Sequence, residues 1–484
     1  MRKSAYIFGA VFWVVSLGAP SGHAQQQTQD QPIPAYHSPL ASQADNGDPN
    51  APPPQLLPDN HALTGAQDPT LGVPSTNHSY WTPHVDVALT LDSEPPVTGG
   101  GGGWTTWTSL TGGVDLRWLS GRSDMTVNYL GGGIFSNDGG ASSGIVQDLN
   151  FADRFNFRRW ALTVIEQAAY SPETAFGSGG FPGISVPGGA PGLGGLIPGQ
   201  TIITSEGQRF FNTTLGEVDV FLTPRSSLTF SGGYSLLHSF GEDQGLLDYG
   251  DIIAEAGYNY QATRKDSVGI SYVFSGFRYN NFDESINTNT LLLSYGRNIT
   301  GRLAFRIGAG PQFASINIPI IPGTGVGTIG PASGGSTSNL YWFLSTSVQY
   351  QLQRTALAAT YSHGVAGGSG VFGGSLADTL TGSVSRQLSR ISSGNWNLGY
   401  SRNSGLTVNG LPQIPNSNQT FDYWFTGVNY TRSWGRSLNL NVGYQLQYQN
   451  SNSSFCVGVG CGSSFTRNLI TFGVGWRRQP IPIE

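Results

Sequence analysis

Residues 438–448 read Leu438-Asn439-Leu440-Asn441-Val442-Gly443-Tyr444-Gln445-Leu446-Gln447-Tyr448. Leu438, Leu440, Val442, Tyr444, Leu446 and Tyr448 alternate with Asn439, Asn441, Gly443, Gln445 and Gln447. Side chains on a strand point to opposite faces in turn, so one face here is apolar and the other polar and uncharged. The same period of two recurs, less cleanly, at Leu340–Tyr350, and again at Ser267–Phe274 and Leu303–Gly310. Segments of about 10 residues with this alternation are the signature of a transmembrane barrel strand.

The connections between such segments alternate short and long. The short ones fall at Ser120–Asp124, Asn156–Arg159, Thr223–Ser226, Thr263–Asp266, Ile299–Arg302, Gln353–Thr355, Ser389–Gly394 and Ser433–Arg436, and each contains an arginine. The long ones lie near 92–103, 136–145, 171–208, 239–247, 280–286, 317–336, 368–373, 405–419 and 450–464. Short periplasmic turns and long external loops are the habit of a bacterial barrel. The pattern predicts a closed antiparallel transmembrane β-barrel of about 18 strands, with 16 as the alternative count. Its first strand is near Ser79–Leu91 and its last near Phe465–Arg477, which puts both ends on one side. The weakest strands are the first, which holds Pro83, and Trp160–Tyr170, where the alternation slips. A β-propeller repeats in groups of four strands and lacks this short/long alternation.

Composition agrees. Charged residues are 11% of 484, against roughly 25% in ordinary soluble chains. A surface that faces lipid on one side does not need them. Mean hydropathy is only -0.17, so apolar and uncharged polar residues are mixed throughout. The net charge of -5 offers no basic patch for nucleic acid.

Residues 1–24 read as a secretory signal peptide: Arg2 and Lys3, an apolar stretch from Ala5 to Val15, then Gly22-His23-Ala24. The apolar stretch is too short for a membrane helix. Residues 25–78 are rich in Pro and Gln and read as a disordered periplasmic arm, with entry into the barrel as a plug the alternative. Residues 79–484 are expected to form the barrel domain.

The chain resembles the broad group of bacterial outer-membrane, porin-like β-barrels. The alternating strands carry the likeness, above all Thr466-Arg467-Asn468-Leu469-Ile470-Thr471-Phe472-Gly473-Val474-Gly475-Trp476. Barrels of this group usually end in such a strand with a terminal aromatic. Here the chain runs on through Arg477 to Glu484. The resemblance implies an outer-membrane location, lipid as surroundings, and the barrel-assembly machinery as partner of the last strand. It leaves oligomeric state open.

The chemistry-bearing residues are sparse. Gly325-Val326-Gly327-Thr328-Ile329-Gly330 matches a dinucleotide fingerprint but lies among prolines and glycines, without the strand and helix that motif requires. No histidine spacing suggests a metal, and no cofactor is expected. Ser362 beside His363 is the best approach to a nucleophile and base, but His363 is expected to line the lumen or a loop, and no enzyme is expected. Cys456 and Cys461 frame four residues of the last external loop and are expected to form a disulfide. Candidate lumen charges are Asp115, Arg117, Glu217, Asp219, Glu255, Arg306 and Arg467, which either pair with one another or form an electrostatic constriction. The loop at 171–208 carries no charge between Glu173 and Glu206 and is expected to fold into the mouth.

A pore passing small hydrophilic solutes by diffusion fits the strand number and the uncharged polar inner face. A plugged surface barrel acting in adhesion or envelope assembly, or an exit duct for an exported polymer, are the alternatives.

Overall fold

The computed structural model describes residues 79–93, 104–137, 143–171, 208–240, 248–279, 284–300, 302–318, 335–352, 354–366, 374–406, 420–451 and 465–483. The expected signal peptide and arm, most of the long loops, Gly325–Gly330, and Cys456 and Cys461 lie outside the described residues.

The described chain is all strand. The wall begins with β1 (Tyr80–Asp92), β2 (Thr105–Leu119), β3 (Ser123–Ser136), β4 (Gly144–Asn156), β5 (Trp160–Ser171) and β6 (Gln208–Thr223). It continues with β7 (Ser226–Phe240), β8 (Tyr249–Gln261), β9 (Asp266–Tyr279), β10 (Glu284–Thr300), β11 (Leu303–Ile318) and β12 (Gly335–Gln351). It ends with β13 (Thr355–Ala366), β14 (Ser375–Ser389), β15 (Ser392–Gly405), β16 (Thr420–Trp434), β17 (Leu438–Ser451) and β18 (Phe465–Arg477). Each strand pairs antiparallel with the next, and β18 pairs back onto β1 from Arg477↔His84 to Leu469↔Asp92. This closes an 18-stranded barrel with both strand termini at the same end. Closure removes the open sheet edge, except at the loop end of β12, which pairs on one side only.

The chain beyond Arg477 is used rather than spare. A two-residue β19 (Ile481–Pro482) pairs with Trp81 and Tyr80 and extends the ladder of β1 downward. Pro83 sits between these two pairings; its carbonyl accepts from Arg478 N at 3.1 Å, so its nitrogen faces the gap between β18 and β19 and its missing N–H breaks no bond to β2. The turn Gly435–Ser437 before β17 needs its glycine, because Gly435 has φ 73°.

Register assigns the faces. Leu438↔Trp476, Leu440↔Val474, Val442↔Phe472 and Tyr444↔Ile470 all point outward on β17 and β18. Across β13–β17 one outward row holds Tyr361, Leu380, Tyr400, Trp424 and Tyr448. The next row toward the loops holds His363, Asp378, Arg402, Asp422 and Asn450. Tyr361 Oη donates to Asp378 at 2.7 Å and Tyr400 Oη to Asp422 at 2.9 Å. Aromatics with a polar row above them mark the boundary of an apolar belt. Trp118, Trp160, Tyr260, Tyr350, Trp434 and Trp476 are outward and exposed at the turn end. From Trp424 to Trp434 on β16 is about 33 Å along the strand. At a tilt near 40° that is a height of about 25 Å, the span of a hydrocarbon belt.

The slip in Trp160–Tyr170 has a cause. Glu166 points outward within this belt, and Asn212 and Thr214 of β6, also outward, both donate to its carboxylate, Asn212 at 2.5 Å. A carboxylate held by two neighbours interrupts the apolar face that the periodicity relies on.

Candidate functional site

The inner face is the remaining surface of every strand, and the register sorts its chemistry into two sides. Charged inner side chains occur on β18, β1–β4, β6, β8 and β11. On the inner faces of β12–β17 none of the described side chains is charged. Asp378, Arg386, Arg402, Asp422 and Arg432 of those strands all share the outward parity.

On the charged side, Asp115 accepts from Arg477 Nη2 at 2.6 Å, with His84 Nδ1 at 3.8 Å. Arg117 is buried and makes a bidentate contact to Asp124, Nε and Nη2 each at 3.2 Å. These residues form one cluster toward the turn end. Arg467 is fully buried nearer the loop end, where it grips Asp92 across the closing seam with Nε at 2.8 Å and 2.9 Å and with Nη2. Glu217 and Glu255 share a row with Ser231 between them. Asp219 accepts from Thr229 Oγ1 at 2.7 Å. Arg306 is the charged inner-face residue of β11.

Sequence reading missed further inner charges: Asp86, Asp92, Asp124, Asp148, Arg154, Asp251 and Arg477. Their strand parity was available as a signal. Asp92 and Arg477 fall on the last residues of their strands, and Asp148 and Arg154 sit on a strand without clean alternation. The described inner face therefore holds nine carboxylates against five guanidinium groups.

The loop end is not a clean cylinder. β12 pairs with β13 only from Leu344↔His363 to Gln351↔Ala356, while residues 335–343 pair with β11 alone. Above the break, the rim of β13–β15 packs inward. Val365 and Leu376 carry the outward parity of their strands, and Leu406 directly follows β15. Yet they join an apolar cluster with inner-face side chains, among them Leu237, Phe277, Ile286, Ala314 and Ile316. Val365 N donates to the inner-face Gln312 Oε1 at 2.9 Å. Gly374 has φ 92°, and a methyl group there would lie 2.1 Å from Ile286 Cδ1. The rim thus seats on the inner wall of β10 and β11.

His363 corrects an expectation. It faces outward, not into the lumen, stacked on Trp342 at 3.8 Å between ring centroids and hydrogen-bonded through Nδ1 to Asp378 at 2.7 Å. Ser362 points to the opposite face, as alternation requires, so the two do not form a nucleophile–base pair. Among the described residues no group of three or more His, Cys, Asp or Glu is placed to hold a metal.

No protein-family model matches the chain, and no curated protein matches it in sequence. Among solved structures, Acinetobacter baumannii OccAB3 is similar over 83% of this chain and 100% of that one, at 9% identity and TM-score 0.39. Pseudomonas aeruginosa OccK2 (OpdF) is similar over 84% and 98%, at 10% identity and TM-score 0.38. The outer membrane protein OpdK from Pseudomonas aeruginosa is similar over 82% and 99%, at 10% identity and TM-score 0.39. At TM-scores this low, the assignment of inner and outer faces rests on this chain's own strand register.

Proposed function

We propose that the chain is a pore of the bacterial outer membrane that passes small hydrophilic solutes by diffusion and favours cations. The observation that carries this reading is the division of one closed ladder into an apolar, aromatic-bounded outer face and a polar, partly charged inner one. Lipid fits the first surface and water the second. An 18-stranded wall encloses room for water unless it is filled. Nine inner carboxylates against five guanidinium groups raise the local concentration of cations. Three of those guanidinium groups, on Arg117, Arg467 and Arg477, are already committed to Asp124, Asp92 and Asp115. The seven charges expected from sequence belong to this lining, as an electrostatic screen built partly from internal ion pairs. The rim of β13–β15, seated on the inner wall, reduces the opening at the loop end.

Liposome swelling tests the proposal. Vesicles containing the folded chain should swell in small neutral solutes at rates that fall steeply with solute size. Folded barrels that give no swelling with any small solute would reject it and favour a plugged barrel.

A further inference from the structure

The uncharged side of the lumen has an order that a mere wetted wall does not need. Inner-face residues of β15, β16 and β17 line up in rows: Gly399, Phe425 and Gln447; then Asn397, Gly427 and Gln445; then Asn395, Asn429 and Gly443. Each row holds a glycine and at least one carboxamide.

The first row makes a platform. A Cβ on Gly399 would lie 2.3 Å from Phe425 Cε1, so the phenyl ring lies over the bare backbone of β15. It is half-buried and is stacked at 6.0 Å on Tyr423, the next inner residue of β16. In the next two rows, Gly427 and Gly443 have no side-chain atom within 3.6 Å of where a Cβ would stand. They leave a shallow floor flanked by amides. Several of the polar atoms around it have no hydrogen-bond partner among the described residues: Gln447 Oε1 and Nε2, Tyr423 Oη, Asn395 Oδ1 and Asn429 Oδ1. Gln447 is fully buried. An unpartnered buried amide costs free energy, so a cluster of them points to something that binds there.

The chemistry of that occupant follows from the lining. A carboxamide offers both donors and acceptors in one plane and suits a hydroxyl, which is itself both. An aromatic face suits the C–H face of a saturated ring. Among the described residues the inner faces of β15–β17 carry no charge; Arg467 of β18, the register partner of Gln447, is buried and held by Asp92, so nothing here selects a charged solute. We infer that the inner face of β15–β17 is a binding subsite for a neutral hydroxylated ring, a saccharide unit, seated on Phe425 and held by Asn397, Asn429, Gln445 and Gln447. This rests on the pore reading only for how the solute reaches the site.

The test uses the full chain, a neutral trisaccharide (raffinose) and two readouts. One is equilibrium dialysis of labelled raffinose against detergent-folded protein. The other is transient block of single-channel current in planar bilayers. We expect saturable binding and block, with Phe425→Ala and the double variant Asn397→Ala/Gln445→Ala each weakening both about tenfold. Gly427→Val, which fills the floor without removing a partner, should do the same in protein that migrates as a folded barrel. Conducting channels with no raffinose binding would overturn the inference and leave the pore standing. Binding that is equal in wild type and all three variants would also overturn it, leaving only water at these amides. Binding lost in the variants of a barrel that does not conduct would support the subsite and reject the pore.

Discussion

A single charge placed on the outer face should report the register of the whole barrel. Val442 pairs with Phe472 on one side and Tyr430 on the other, and all three point outward. On β18, Phe472 lies four residues from Asn468 at the polar boundary and four from Trp476 at the turn-end aromatics. Four residues are about 13 Å of strand, or about 10 Å of height at the usual tilt. Val442 is therefore near mid-membrane. Leu440, one outward position lower, pairs with Arg432 and is closer to the interface. An arginine at Val442 should cost about 2–4 kcal/mol, and one at Leu438, level with Trp476, about 0–1 kcal/mol. Asn441 faces the lumen, where an arginine stays hydrated and should cost little. Equilibrium unfolding of the three variants from lipid vesicles in denaturant measures these differences directly. A near-zero cost at Val442 with a large cost at Asn441 would refute the reasoning, because a one-residue slip exchanges the faces of the strand.

Other consequences follow from single contacts. Arg467→Met leaves Asp92 buried without its cation at the β1–β18 seam and should cost about 3–5 kcal/mol, with much of that recovered in Arg467→Met/Asp92→Leu; thermal or denaturant unfolding of the two variants checks this, and equal costs would contradict it. Gly374→Val places a branched side chain at φ 92° against Ile286 and should unseat the rim, raising single-channel conductance at a cost of about 1–2 kcal/mol; unchanged conductance would show that the rim does not narrow the path. Cys456 and Cys461 should be disulfide-bonded in protein from the cell envelope, so both should resist alkylation until reductant is added.

Much of the fold was legible because a period of two, punctuated by alternately short and long connections, is a local signal repeated around the barrel. Leu438–Tyr448 shows it plainly, and all eight short turns fall where the alternation breaks. The signal failed where a side chain answers to a neighbour rather than to the solvent on its face. Glu166 looks misplaced until Asn212 and Thr214 are seen beside it. Val365 and Leu376 have the outward parity of their strands, and only tertiary contact shows that the rim carries them, with Leu406, onto the inner wall. His363 could not be placed from its own position, since its partners Trp342 and Asp378 come from two other strands. The lumen was legible in part. Parity gives the inner face, but the pairing of Arg467 with Asp92 joins residues 375 positions apart. The row of Gly399, Phe425 and Gln447 exists only once three strands are in register.

The central claim is an open, cation-favouring path through a closed 18-stranded wall. Single-channel recording of the full chain in planar bilayers under a potassium chloride gradient tests it most directly. The structure predicts discrete conductance steps that are linear in voltage, with a reversal potential displaced toward that of potassium by the excess of inner carboxylates. Folded barrels that insert without conducting, or that conduct with the reversal potential displaced toward chloride, would contradict it.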